Sequence, residues 1–166
     1  VENIHPQKSA QVKYVVQTLG GMGDPSVQTH ATQLTTRLAR LTGAEPKLLP
    51  VQGLTSSREA KLLMLADPFV RETMDLFGSI TLAIVGIGAV EPSELLARSG
   101  NIFSSRELAD LAEAGAVGDI SLRFFDANGR PVKTPLDERV IGLPLEDLKK
   151  VGRVIALAGG AKKAAA

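Results

Sequence analysis

Three glycine-rich segments carry the residues best suited to bind a small molecule. Each follows an apolar run, and they read LGGMGDP (19–25), VGIGAVEP (85–92) and LAGGAKK (157–163). Glycine lets backbone N–H groups approach an anion, and the N-terminus of a following helix adds about half a positive charge. Together the segments predict a pocket for a phosphate or another polar group. The residues expected to line it are Gly20, Gly21, Gly23, Gly86, Ile87, Gly88, Gly159 and Gly160.

None of these segments is a nucleotide-binding fingerprint. The loop 21–23 is followed by Ser26, and the loop 86–88 by Glu91, where a dinucleotide site requires a third glycine. No Walker sequence is present. A tight turn between a strand and a helix explains any one loop equally well. Three such loops at one edge of a sheet favour a ligand pocket.

Four polar side chains are candidates to complete the pocket. His30 lies one turn into the helix after the first glycine segment, where it could donate a hydrogen bond; a surface or core position is the alternative. Asp119 follows Gly118 into a strand. Lys163 could point back over the preceding glycines at an anion, and otherwise it is a solvated charge.

The fourth candidate, Arg123, needs a partner. Strand alternation places it on the face of Ser121 and Phe125, amid apolar neighbours. Its partner is either a carboxylate on a neighbouring element, which we favour, or a bound anion.

The sequence offers no set of residues for catalysis. It lacks a nucleophile elbow, carboxylates with an evident shared purpose, and a second histidine at useful spacing. It has no cysteine, and only two histidines, so we expect neither thiol chemistry nor a metal site. The net charge of +1 and the 4% of aromatic residues provide no nucleic-acid surface. We therefore expect a domain that binds a polar or anionic small molecule without a cofactor.

The elements that position these residues alternate between strands and helices. The runs 12–19, 80–88 and 153–160 are apolar, short and closed by glycine, as in strands buried on both faces of a parallel sheet. Helical patterns lie between them, one beginning with a capping box at Ser104 and Glu107. Asn128-Gly129 predicts a hairpin turn. This order predicts one three-layer, Rossmann-like α/β domain with a mostly parallel sheet and a hairpin insertion, whose ligands bind beyond the carboxyl ends of the strands.

Several strings then resemble one known family when they are taken together. GIGAVEPSELLARSG (86–100), GAVGDISLRFFDANGRPV (115–132), RVIGLPLEDLKK (139–150) and VIALAGGAKKAAA (154–166) are similar, in that order, to the effector-binding domain of SorC/DeoR-type bacterial transcriptional regulators. LGGMGDPSVQTHATQLTTRLA (19–39) fits the same family. The resemblance implies a fold related to sugar-phosphate isomerases and glucosamine-phosphate deaminases, used to sense a sugar or sugar phosphate in the cytoplasm. It also implies a homo-oligomer, dimeric or tetrameric, that contacts DNA through a separate helix-turn-helix domain.

The resemblance assigns effector contacts to His30, the loop 86–88, Asp119 and Lys163, and it adds Arg98. It also implies a strand and phosphate loop before residue 1, and a strand and helix after residue 166. On this interpretation residues 1–166 are a partial effector-binding domain without its DNA-binding domain. Two alternatives remain: an isomerase- or deaminase-type enzyme on the same fold, and a module for oligomerisation alone.

Overall fold

The computed structural model describes residues 11–21, 25–90 and 103–159 as a mixed α/β domain. Seven strands are present in this part of the chain: β1 (Tyr14–Val16), β2 (Glu45–Lys47), β3 (Leu82–Gly86), β4 (Gly88–Ala89), β5 (Gly118–Ile120), β6 (Arg123–Phe125) and β7 (Arg153–Leu157). The same part contains five α-helices: α1 (Pro25–Thr42), α2 (Arg58–Leu65), α3 (Pro68–Asp75), α4 (Ser105–Glu113) and α5 (Leu145–Leu148). Short 3-10 helices follow α3, at Leu76–Ser79, and precede α5, at Pro135–Glu138.

Two pairs of strands are parallel, and the β3-β7 pair joins two of the predicted glycine-closed runs, although the described residues bury only one face of β3. β1 pairs with β2, and β3 pairs with β7 in a register that sets Leu82 opposite Arg153 and Gly86 opposite Leu157. The remaining three strands form an antiparallel sheet in the order β4-β5-β6. The parallel pairs therefore place the ends of β3 and β7, with their glycine segments, at one edge.

The helix boundaries follow from local capping. The Ser104 hydroxyl accepts a hydrogen bond from the Glu107 N–H, and the Glu107 carboxylate accepts one from the Ser104 N–H, so the predicted capping box begins α4. Asp67 caps α3 by accepting from two backbone N–H groups, with Pro68 at the first helical position. Gly43 ends α1 with a φ of 70°, a conformation that glycine adopts without strain.

Two apolar clusters hold these elements together. The first lies under β3, where Ala83 and Val85 are buried while the alternate residues of the strand face outward. It joins β3 to α3 and to the segment 141–148, and its buried members are Leu49, Val70, Phe77, Ala83, Val85, Ile141, Leu143 and Leu148. The second joins α4 to β6 and to the segment 136–140, and its buried members are Phe103, Leu111, Leu122, Phe124, Leu136 and Val140.

The segment between Gly118 and Pro131 folds back twice. Asn128-Gly129 forms the predicted turn: the Gly129 N–H donates to the Asp126 carbonyl at 2.8 Å. An earlier reversal at Ser121 and Leu122 separates β5 from β6. The predicted single strand, with Arg123 on the face of Ser121, is therefore wrong, because both turn residues adopt positive φ angles.

Candidate functional site

The first glycine segment is packed against a second loop of the chain. An added Cβ at Gly20 would lie 2.7 Å from both the Gly53 nitrogen and the Val51 oxygen, so only glycine fits. The Gly20 N–H donates to the Ile141 carbonyl at 3.1 Å, and the Gly21 N–H donates to Val51 at 2.7 Å. Because both N–H groups are engaged within the protein, an anion at this loop would need other donors.

The second and third glycine segments lie side by side. The Ile87 N–H donates to the Leu157 carbonyl at 3.0 Å, directly after the paired residues Gly86 and Leu157. Gly159 follows two residues later, just beyond the end of β7. The structure thus brings the loop 86–88 together with the end of β7.

Asp119 lies against the same loop. It pairs with Gly88 between β4 and β5, and an added Cβ at Gly88 would lie 1.9 Å from the Asp119 Oδ1. The other carboxylate oxygen, Oδ2, accepts a hydrogen bond from the Leu122 N–H at 2.9 Å. We call Gly86–Gly88, Asp119 and Leu157–Gly159 the strand-end site.

The predicted residues Gly23, Arg98, Gly160 and Lys163 lie outside the described residues, as does the side chain of His30. Their part in the pocket stays a prediction from the sequence. The described site therefore consists of backbone groups from two adjacent loops and one carboxylate. These groups accept and donate hydrogen bonds, and the carboxylate suits the hydroxyl groups of a ligand.

Arg123 has a carboxylate partner within the protein. Its Nη1 donates to Asp137 Oδ1 at 2.8 Å and to the Asp137 carbonyl at 3.2 Å, and its Nη2 donates to the Val140 carbonyl at 3.3 Å. The side chain is 12% exposed. The partner of Arg123 is therefore a carboxylate within the protein, as we favoured from the sequence. Through these bonds the guanidinium connects β6 to the segment 137–140.

Lys61 is a neighbour of this ion pair that the sequence did not single out. Its Nζ donates to the Asp137 carbonyl at 3.2 Å. Burial lowers the pKa of the Lys61 ammonium, and the nearby Arg123 charge lowers it further. No local motif marks this residue, because its surroundings arise only when α2 packs against the segment 135–138.

A second ion pair stabilises the start of α4. The Arg139 guanidinium donates to Glu107, and its Nε donates to the Thr55 carbonyl at 2.8 Å. Burial alone would raise the pKa of the Glu107 carboxyl, but hydrogen bonds from Ser104 and Arg139 hold that pKa below its ordinary value. Both ion pairs border the second apolar cluster, because Asp137 and Arg139 lie in the chain between its members Leu136 and Val140.

An open groove of about 1000 Å³ lies elsewhere, between the segment 45–52 and helices α2 and α3. Lys47 bridges the carboxylates of Glu45 and Glu72 beside it, at 2.9 and 3.0 Å, and these hydrogen bonds raise the pKa of the Lys47 ammonium. Because that cation is already neutralised, the groove offers little attraction to an anion. None of the residues predicted from the sequence lines it.

The described residues contain no group of three histidine, cysteine, aspartate or glutamate side chains that could hold a metal ion. Within the same residues, no helix is long and apolar enough to cross a membrane. The fold is thus that of a mixed α/β domain, and the candidate site places glycine loops and one carboxylate at the carboxyl end of a parallel strand pair.

The chain belongs to the Sugar-bind family, described as "Putative sugar-binding domain", whose model matches residues 1–166. It is 31% identical over 162 residues to the deoxyribonucleoside regulator of Bacillus subtilis. This match covers 98% of this chain and 51% of that protein. It is 35% identical over 127 residues to the erythritol catabolism regulatory protein EryD of Brucella abortus, covering 76% of this chain and 40% of that protein.

Solved structures show the same fold. The DeoR family transcriptional regulator from Listeria monocytogenes superimposes with a TM-score of 0.82 at 28% identity, over 98% of this chain and 62% of that one. The full-length sorbitol operon regulator SorC from Klebsiella pneumoniae gives a TM-score of 0.85 at 24% identity. The superposition covers 98% of this chain and 52% of that one. The chain spans about half the length of the curated regulators that it matches. The resemblance to SorC/DeoR-type sugar-binding domains is confirmed.

Proposed function

We propose that this chain is the sensor domain of a bacterial transcriptional regulator and binds a sugar or a phosphorylated sugar at the strand-end site. The observation that carries the proposal is the contact between Asp119 and Gly88 within a sugar-binding family domain. A glycine at position 88 lets a carboxylate sit directly on the ligand loop. Such a carboxylate accepts hydrogen bonds from the hydroxyl groups that distinguish sugars and polyols.

The regulator would be longer than this chain and would contact DNA through a separate helix-turn-helix domain. Regulator names among the relatives, and their roughly twofold greater length, support this part of the proposal. The sheet supports it too: Leu82 and Ile84 on β3 are 47% and 49% exposed, and Leu157 on β7 is 61% exposed. An apolar sheet face of this kind is usually covered by further chain. We propose that the covering chain completes a Rossmann-like, isomerase-related sheet in a cytoplasmic homo-oligomer.

A catalytic function has no support among the relatives. Their names are those of transcriptional regulators. The isomerase- or deaminase-type alternative would require an acid and a base around the reacting carbons. In the described part of the strand-end site, Asp119 is the sole ionisable side chain.

A ligand screen tests the proposal. Thermal-shift measurements with erythritol, sorbitol, glucose 6-phosphate and ribose 5-phosphate should show a rise in melting temperature with at least one compound. Titration calorimetry on Asp119→Asn should then show about tenfold weaker binding, because a charge-assisted hydrogen bond becomes a neutral one. Asp110→Asn is the control, since Asp110 is exposed on α4. No shift with any of the four compounds, or equal affinity of Asp119→Asn and the native chain, would contradict the proposed site.

A further inference from the structure

The connection between β5 and β6 has an unusual conformation. Ser121 and Leu122, its two residues, have φ angles of 54° and 61°. A two-residue hairpin with both residues at positive φ is normally built from asparagine and glycine, because a Cβ disfavours that region. The turn therefore needs support from its surroundings to stay in this conformation.

Two contacts supply that support. The Leu122 N–H donates to the Asp119 Oδ2 at 2.9 Å, and the Leu122 side chain is 4% exposed within the second apolar cluster. The hydrogen bond fixes the backbone of the turn, and the burial fixes its side chain. Weakening the hydrogen bond would leave the unfavourable φ angles balanced only by burial and by the pairing of β5 with β6.

The carboxylate that holds the turn is also the carboxylate of the strand-end site. While Oδ2 accepts from Leu122, Oδ1 lies in the space beside Gly88, on the loop 86–88. The two oxygens can accept at the same time, so a ligand hydroxyl would compete with the Leu122 N–H only by turning the carboxylate away from its present orientation, in which Oδ1 is packed beside Gly88. The ligand and the turn thus both depend on the orientation of one carboxylate.

We propose that effector binding at Asp119 shifts the Ser121–Leu122 turn out of its left-handed conformation, so that the turn acts as the switch of the sensor. This inference rests on the proposed function, in which Asp119 binds the sugar. The ligand favours the relaxed turn because it reorients the carboxylate, which draws Oδ2 away from the Leu122 N–H. By linkage, any change that stabilises the left-handed turn must weaken binding of the ligand.

Leu122 connects the turn to the interior of the domain. Its side chain packs in the same cluster as Leu111 of α4, Leu136 of the second 3-10 helix, and Val140. A turn that relaxes moves Leu122 within that cluster, and the close packing of the cluster passes the movement to α4 and to the segment 136–140. These elements also carry the ion pairs of Arg123 and Arg139.

Two substitutions at Ser121 test the switch without altering Asp119. Ser121→Gly lowers the energy of the left-handed turn and should weaken binding of the compound that shifts the melting temperature (erythritol, sorbitol, glucose 6-phosphate or ribose 5-phosphate) by about fivefold. Ser121→Ala is the matched control: it removes the same hydroxyl but keeps a Cβ, and it should bind with native affinity. Amide hydrogen exchange at Leu122 should become at least about threefold faster when that compound binds to the native chain.

The outcomes separate this inference from the proposed function. If Asp119→Asn weakens binding while Ser121→Gly does not and Leu122 exchange is unaffected by the ligand, the switch is wrong and the sugar site stands. If Ser121→Ala weakens binding as much as Ser121→Gly, the hydroxyl matters and the turn conformation does not, which also overturns the switch. If Asp119→Asn binds as tightly as the native chain, both proposals fail.

Discussion

The Asp119 carboxylate occupies the position from which a side chain at Gly88 would start: an added Cβ there would lie 1.9 Å from Oδ1. The two residues face each other between β4 and β5. Glycine at position 88 thus leaves room for a charged group from a different segment of the chain, and any side chain there would have to displace that group. The loop 86–88 and Asp119 therefore form one packed unit.

We expect Gly88→Ala to displace the Asp119 carboxylate and to abolish measurable ligand binding. The displaced carboxylate should also lose its bond with the Leu122 N–H, so the melting temperature should fall by several degrees. Calorimetric titration and a thermal scan measure the two effects. Gly78→Ala is the control, because a Cβ at Gly78 has no atom within 4 Å and should leave both quantities unchanged. Native binding by Gly88→Ala would show that the Asp119 position is irrelevant to the ligand.

Breaking the Arg123–Asp137 ion pair from one side should destabilise the fold. Its side chains are 12% and 26% exposed, and Asp137→Ala would leave a largely buried guanidinium without its carboxylate. We expect the free energy of unfolding to fall by about 3 kcal/mol, as for other buried pairs that lose one partner. Urea unfolding of the chain measures this change.

The exposed pair Lys150–Asp147 is the control for that measurement, since its side chains are 75% and 44% exposed. Lys150→Ala should leave the stability unchanged, because solvent screens such pairs. Equal effects of Asp137→Ala and Lys150→Ala would mean that Arg123 is not held by Asp137 in solution. Arg123 would then be available to a bound anion after all.

Much of the local structure was predictable because its signals are local. The capping box at Ser104 and Glu107, the Gly43 helix end and the Asn128-Gly129 turn each depend on residues within a few positions of one another. The parallel pairing of β3 and β7 follows from apolar runs that end in glycine. In each case the backbone preference of a short segment agrees with the final fold.

The Ser121–Leu122 turn could not be predicted in the same way. Neither residue favours a positive φ, and alternation of apolar residues indicates a continuous strand there. Contacts from outside the turn, namely the Asp119 carboxylate and the second apolar cluster, outweigh that local preference. The contact of Gly20 with Gly53 is likewise a property of two distant loops. Glycine at position 20 was recognised from the sequence, but its packing role was not.

Stability should depend on pH through Glu107. Its folded-state pKa is lowered below 4.5, so the folded state prefers the ionised carboxylate more than the unfolded chain does. The stabilisation is therefore complete above the unfolded pKa, near pH 4.5, and is lost as the pH falls through the folded pKa. Glu107→Gln should be less stable than the native chain at pH 7. In urea unfolding between pH 7 and pH 3, its free energy of unfolding should fall less than that of the native chain. Parallel pH curves for the two proteins would exclude Glu107 as a contributor.

Lys163 and His30 should bind the ligand, as the sequence predicts for the third glycine segment and for the helix after the first. Lys163→Ala and His30→Ala should each weaken binding of a sugar phosphate by about tenfold, because each removes a donor to an anionic oxygen. Lys162→Ala is the matched control, since it removes a neighbouring lysine and lowers the net charge equally. Calorimetry with ribose 5-phosphate and with ribose separates contacts to the phosphate from contacts to the sugar. If Lys163→Ala loses affinity only for the phosphorylated compound, Lys163 binds the phosphate. Equal binding by Lys163→Ala, His30→Ala and Lys162→Ala, all with native melting temperatures, would remove both residues from the site and leave Asp119 and the loop 86–88 as the binding groups.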